Sequence, residues 1–173
     1  SILSPDFRCK PFDENATGTA VGEGVICLYI EPFESAVKSK KAIYGVVKGI
    51  GTNSVGHGNG ITAPSAVSQQ SVIRNALDEA KLTADDISYI ETHGTGTKLG
   101  DKIELSALKT VFNKKTRNDV DKLVLGAVKS NFGHLDSAAG LLGVLKVLAS
   151  LLYEQIPPTL NHTAPHDELH GSK

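Results

Sequence analysis

"IETHGTGTKLGD", Ile90 to Asp101, decides how the rest of the chain is read. A short apolar run, "ISYI", leads into Glu91 and His93, and then Gly94 and Gly96 alternate with the hydroxyls Thr95 and Thr97. The apolar run predicts a strand, "ISYIET", that delivers His93 to its C-terminal end. Open α/β sheets put their ligand crevices there. Glycines in such a loop permit positive φ and let a ligand lie against backbone. A dinucleotide fingerprint fails on spacing, because Gly94, Gly96 and Gly100 give GxGxxxG. A Walker loop fails for want of Gly-Lys-Ser/Thr. The plain alternative is a glycine-rich turn with a surface histidine.

Downstream, Asp101 and Glu104 are spaced like a capping box, with Asp101 as the cap of a helix over Lys102–Phe112. Leu105, Leu108, Val111 and Phe112 supply its apolar face. "NKKTRNDVD" reads as a charged, solvated loop. "LVLGAV" predicts a strand. It runs into "VKSNFGHLDSAAG", which repeats the first layout of strand, polar loop, glycine and helix. Lys129 and His134 flank the turn, at Gly133. His134 sits just before a helix, where unpaired N–H groups and the dipole oppose protonation of an imidazole. A neutral imidazole there can donate a hydrogen bond to a carbonyl or enolate oxygen. For Lys129 the plain alternative is a solvated surface amine. That alternative weakens because a strand carries Lys129 to the same edge as His93.

From Ser137 to Tyr153 the chain is strongly apolar, interrupted by Lys146 and stopped by Pro157 and Pro158. This is short of the about 20 apolar residues that span a bilayer. It predicts a buried central helix and no membrane span. Upstream, "VICLYI" (Val25–Ile30) and "YGVVKGI" (Tyr44–Ile50) predict strands, and Ser65–Ala80 predicts a helix opened near Pro64. The order β–β–α–β–α–β–α implies an α/β layered fold.

The chain has 173 residues and a formal charge of −1, so no basic footprint points to nucleic acid. The two cysteines, Cys9 and Cys27, make no disulfide framework and suit a reducing, cytoplasmic setting. There is no methionine, even at position 1, so the chain reads as a piece of something longer or as a processed product. A metal held by His93, His134 and Asp101 or Glu104 finds little support, because no HxH or HExxH spacing is present. His57, His162, His166 and His170 lie in Gly- or Pro-rich stretches and read as surface residues.

In order along the chain, "FDENATGTAVGEG", "NGITAPS", "ETHGTGTKLGDKIE", "KSNFGHLDSAAG" and "QIPPTL" resemble the C-terminal part of a β-ketoacyl synthase. The "HGTGT" and "KSN.GH" strings are most like modular polyketide synthases. The resemblance implies a thiolase-like layered fold (α-β-α-β-α), of which this is an incomplete C-terminal half. Residues 1–41 would be the trailing end of the preceding half, 42–165 the ketosynthase half, and 166–173 a polar tail. It implies decarboxylative condensation of an acyl thioester with a malonyl-type extender, in polyketide or fatty-acid elongation. His93 and His134 would hydrogen-bond the extender's thioester oxygen, Lys129 would tune them, and Thr95 and Thr97 would hold the pantetheine amides. Gly94, Gly96 and Gly133 would shape the loops. No cofactor would bind directly, since phosphopantetheine arrives on the acyl carrier protein. The other partners would be the rest of the ketosynthase and, in a homodimer, a second copy.

The chain departs from the family pattern at Lys102, where proline is usual, and at "GTAVGEG", which lacks the usual arginine before "GEG". The family's nucleophilic cysteine elbow is also missing, as is its closing glycine-rich segment. The chain alone is therefore expected to be inactive. The competing reading is a non-catalytic thiolase-like chain that binds a carrier protein or a ketosynthase. A thiolase or hydroxymethylglutaryl-synthase relative is disfavoured by the "HGTGT"/"KSN.GH" pair.

Overall fold

A computed structural model of the chain describes residues 2–55, 64–112, 123–166 and 169. His57, the loop residues 56–63, the charged loop 113–122 and His170 lie outside them. The regular elements are α1 (Phe33–Lys38), α2 (Ala66–Ala80), β1 (Tyr89–Glu91), α3 (Lys98–Phe112), β2 (Val124–Gly126), α4 (Lys129–Phe132) and α5 (Ala139–Tyr153). Strands β1 and β2 pair in parallel, Tyr89 with Val124, Ile90 with Leu125 and Glu91 with Gly126. Parallel neighbours need a crossover, and α3 supplies it. Helix α2 packs on α3, and α5 packs on β1. A short 3-10 turn, Ala84–Asp86, is closed by a capping box from Thr83 to Asp86 and leads into β1.

Several expectations need correction. "VICLYI" and "YGVVKGI" are not strands: residues 25–30 and 44–50 have no regular assignment. β-rich composition makes a strand only where a neighbour completes the ladder, and no described residue offers one. Helix α3 begins one turn earlier than expected, at Lys98. Asp101 therefore lies inside its first turn and is not its cap. Ser65 caps α2, its hydroxyl accepting from the Ser68 amide, so Pro64 lies outside the helix. The short helices α1 and α4 carry too few residues to show a period and were not expected.

Helix α5 also differs from its expectation. Of its residues only Ala139, Leu142 and Lys146 are buried, while Leu151 and Leu152 are more than half exposed. By length and composition alone, residues 136–153 could cross a membrane. An ion pair argues for a core helix instead. Lys146 Nζ lies 3.0 Å from Glu91 Oε2, and both side chains are about 95% buried. Such a pair needs a partner layer, and β1 provides it.

The core gathers beneath the sheet's C-terminal edge. Phe12, Leu105 and Ala127 form one cluster, and Val128, Leu135 and Leu142 form another. Burying a side chain such as Leu105 contributes about 1.5–3 kcal/mol. The polar N-terminal loop is pinned by Asp13, whose carboxylate accepts from the amides of Asn15, Thr163 and Ala164 and from the Thr163 hydroxyl. Burial pushes that carboxyl up, but these hydrogen bonds outweigh it and hold the group well below the usual range.

Candidate active site

Strand β1 ends at Glu91, and two residues later His93 projects at the sheet's edge. Strand β2 ends at Gly126, and the chain turns at once into α4, whose first residue is Lys129. His134 follows after Gly133. It is held by a parallel bridge to Val21, with the His134 amide donating to Ala20 O at 2.7 Å and the Gly22 amide donating to His134 O at 3.0 Å. The two imidazoles thus meet, ring centroids 5.8 Å apart and planes crossed at 86°.

Lys129 is 4% exposed and is not a solvated amine. Its Nζ donates to the backbone carbonyl of His93 at 2.6 Å. Burial pushes its pKa down, while Glu104, Glu91, Cys9 and Asp101 oppose that. The buried cation in turn acts on the rings. His93 is lowered to about 4, first by the protein atoms packed against it and then by Lys129 and His134. His134 is lowered by burial and by Lys129, with Asp136 opposing. Both rings are therefore neutral near pH 7. His134 Nδ1 accepts from the Asp136 amide at 3.0 Å, which leaves the proton on Nε2. A neutral ring in that tautomer is a hydrogen-bond donor with no charge to neutralise.

The "HGTGT" loop owes its shape to the two carboxylates read from sequence as a capping box. Glu104 reaches back across the loop, Oε1 accepting from the His93 amide at 2.7 Å and Oε2 from the Gly94 amide at 2.9 Å. Asp101 accepts from the Phe12 amide at 2.8 Å and the Gly96 amide at 3.2 Å. Burial raises the pKa of both, against the pull of these donors. Glu104 is the site residue that sequence reasoning assigned elsewhere. The available signal was an acidic residue shortly after a glycine-rich loop full of amide donors.

Gly94 and Gly96 have φ of +43° and +75°. A Cβ on Gly94 would come within 2.7 Å of Ala127 Cβ, and one on Gly96 within 2.9 Å of the Gly18 and Lys10 backbones. The chain's own atoms, rather than a ligand arm, occupy that space. Gly133 is hemmed in the same way by Val21 and Gly22. Thr95 and Thr97 hydroxyls bond each other at 3.0 Å, and Thr97 also lines a cavity of about 320 Å³ with Lys98, Thr17 and Gly18. Cys9 is 2% exposed, its sulfur accepting from the Ala20 amide, and Cys27 is exposed. His162 Nδ1 lies 3.3 Å from Pro11 O, and the His166 backbone amide donates to Phe12 O at 2.8 Å. Among the described residues, no three His, Cys, Asp or Glu side chains converge on a metal site.

Known proteins resemble this chain in sequence and fold. The β-ketoacyl synthase C-terminal domain matches residues 44–163. Polyketide synthase PksL of Bacillus subtilis is 46% identical over 166 residues, which is 96% of this chain and 4% of that protein. Polyketide synthase GfsA of Streptomyces halstedii is 42% identical over 170 residues, which is 98% of this chain and 2% of that protein. Among solved structures, the ketosynthase from module 6 of the Bacillus subtilis bacillaene synthase superposes with a TM-score of 0.87. It is 43% identical, with 96% of this chain and 30% of that one covered. The chain thus spans under a third of that ketosynthase and a small part of the synthases it matches. Its fold is accordingly the C-terminal portion of the thiolase-like fold, and the chain belongs to the β-ketoacyl synthase family, in its polyketide synthase branch.

Proposed function

We propose that this chain is the histidine-bearing segment of a ketosynthase domain that extends an acyl chain by decarboxylative condensation. The observation that carries the reading is the convergence of His93 and His134, both neutral, with the buried Lys129 fastened to the His93 carbonyl. Two neutral donors facing one space suit an oxygen on which negative charge develops. Their benefit is greatest in the transition state, where that charge appears.

The steps follow. A malonyl-type thioester, borne on the phosphopantetheine of a carrier protein, sets its thioester oxygen between the two imidazoles. The bond to its carboxylate breaks, carbon dioxide leaves, and the electron pair moves onto the thioester as an enolate. The imidazoles donate to that enolate oxygen. The enolate carbon then attacks an acyl thioester, forming a carbon–carbon bond and expelling a thiolate. That thiolate belongs to a cysteine in the rest of the ketosynthase, since Cys9 is sealed in and Cys27 lies exposed on a segment without regular structure. Thr95 and Thr97 hold the amides of the pantetheine arm by exchanging their mutual bond. Lys129 does not touch the extender. Its charge adds to burial in keeping the imidazoles unprotonated, and its bond fixes the His93 backbone. We place the intact enzyme in the cytoplasm as a homodimer.

The test is a purified intact domain given an acyl donor and a malonyl-loaded carrier protein. The expected product is the β-ketoacyl thioester with one carbon dioxide released per condensation, read by mass spectrometry. An intact domain that binds the carrier but yields neither would support the non-catalytic partner reading.

A further inference from the structure

A lysine inside an apolar helix asks for a reason. Lys146 is 6% exposed in α5, and its charge is met by Glu91 at the end of β1. Glu91 does more than neutralise it. Its Oε1 accepts from the Val128 amide at 2.5 Å, and its Oε2 accepts from the Tyr89 hydroxyl at 2.5 Å. Burial pushes the Tyr89 phenol up, so it remains a donor. The chain makes room for this cluster. A Cβ on Gly126 would collide with the Tyr89 hydroxyl, and one on Gly143 would stand 3.3 Å from Glu91 Cγ.

Val128 is the residue before Lys129, and Lys129 holds the His93 carbonyl. Glu91 is two residues before His93 on the other strand. Glu91 therefore ties the end of β1 to the turn after β2 through the Val128 amide, and the ion pair fastens that link to α5, at the point where each strand releases a residue of the site. Stability alone does not account for it, because apolar residues of like volume often serve as well as a buried ion pair. A requirement for one register does.

We propose that Glu91 and Lys146 are positioning residues for the histidine site: the ion pair with Lys146 holds Glu91 aimed at the Val128 amide, which sets the turn that holds Lys129 on His93. This rests on the ketosynthase reading. Displacements of about 1 Å at such a site can cost a hundredfold in rate.

The experiment uses the intact ketosynthase and compares Lys146→Met, Glu91→Gln/Lys146→Met and Glu91→Met/Lys146→Met. Thermal unfolding, carbon dioxide release from a malonyl-loaded carrier, and acylation of the enzyme are followed in each. The glutamine double keeps an acceptor for Val128 without either charge, and the methionine double removes it. Lys146→Met alone should slow carbon dioxide release, the added Glu91→Gln should restore it to within about threefold, and Glu91→Met should leave it about ten- to a hundredfold slow. KM and acylation should stay unchanged throughout.

The pH profile adds a readout that a purely structural role would not move. The groups facing His93 are Lys129 on α4, His134 with Asp136 behind it, and Glu104 on α3. If Lys129 drifts away, its repulsion of imidazolium falls. The acid limb of carbon dioxide release should then move to higher pH in the methionine double only. Equal rates and equal acid limbs in the two doubles would overturn the proposal. If the methionine double does not fold, the glutamine double decides: a hundredfold loss at native stability overturns the acceptor role, and a near-normal rate supports it. A wild-type enzyme that releases no carbon dioxide rejects the ketosynthase reading and the proposal with it.

Discussion

Around His93 the chain leaves little unsatisfied. The amides of His93, Gly94 and Gly96 reach carboxylates of α3, Lys129 is 4% exposed, and the Glu91–Lys146 pair lies beneath. Residues 25–50 are the opposite: Val25 is 99% exposed, Tyr29 79%, Ile30 75% and Val47 65%. One region is held by short polar links between elements of this chain. The other is an apolar surface that the described residues do not cover. The contrast teaches that the geometry of half a site can be encoded locally, even where the layered fold around it is open. A monomeric soluble protein rarely leaves contiguous apolar surface of this kind exposed.

The sharpest way to break the comparison is to ask the chain to work alone. We expect no β-ketoacyl product from it, because neither cysteine can carry the acyl group, however well the histidine edge is formed. Any product detected by mass spectrometry would mean that the polar region is a complete site. Next in size are His93→Ala and His134→Ala in the intact enzyme. Each should slow carbon dioxide release about a hundred- to a thousandfold, the usual cost of one oxyanion donor. Acylation of the enzyme should continue, since it needs other donors. Radiolabelled acyl-enzyme and carbon dioxide are followed separately, and unchanged release in both variants would reject the role given to the rings.

The two regions also differ in how legible they were from sequence. The helical periods of α2, α3 and α5 were readable because each repeats its apolar face over 15 residues. His93, Lys129 and His134 were readable as neighbours because parallel strands deliver their C-terminal ends to one edge. The roles of Asp101 and Glu104 were not, since their partners, Phe12, His93, Gly94 and Gly96, are chosen by tertiary contact. Lys146 showed only as a break in an apolar run, because its partner is 55 residues away. "VICLYI" and "YGVVKGI" misled for the converse reason: β propensity reports fitness for a pleated, half-buried surface, and the neighbour that would make one is not among the described residues.

A surface charge sharpens the contrast from the apolar side. In the isolated chain Val25→Asp should change stability by no more than about 0.5 kcal/mol, as for an exposed position. In the intact enzyme, where we expect the rest of the ketosynthase to cover this surface, an unpaired carboxylate there should cost about 2 kcal/mol or more. Denaturant unfolding of both proteins measures the difference. Equal small effects in the two would mean that this surface stays open, and that the two regions differ in chemistry but not in completeness.

The smallest effect belongs to Thr95 and Thr97, which we propose hold the pantetheine arm. In this structure the two hydroxyls bond each other at 3.0 Å, so the arm must displace a bond before it gains one. A net hydrogen bond is worth about 0.5–1.5 kcal/mol, and the exchange keeps each near the lower end. Thr95→Ala with Thr97→Ala should therefore raise KM for the malonyl-loaded carrier about fivefold to tenfold. The rate at saturation should hardly move, because amides far from the reacting carbons are bound equally before and during decarboxylation. Steady-state carbon dioxide release against carrier concentration separates the two parameters. A fall in kcat at unchanged KM would instead place the hydroxyls beside the charge that develops, and would move them from grip to chemistry.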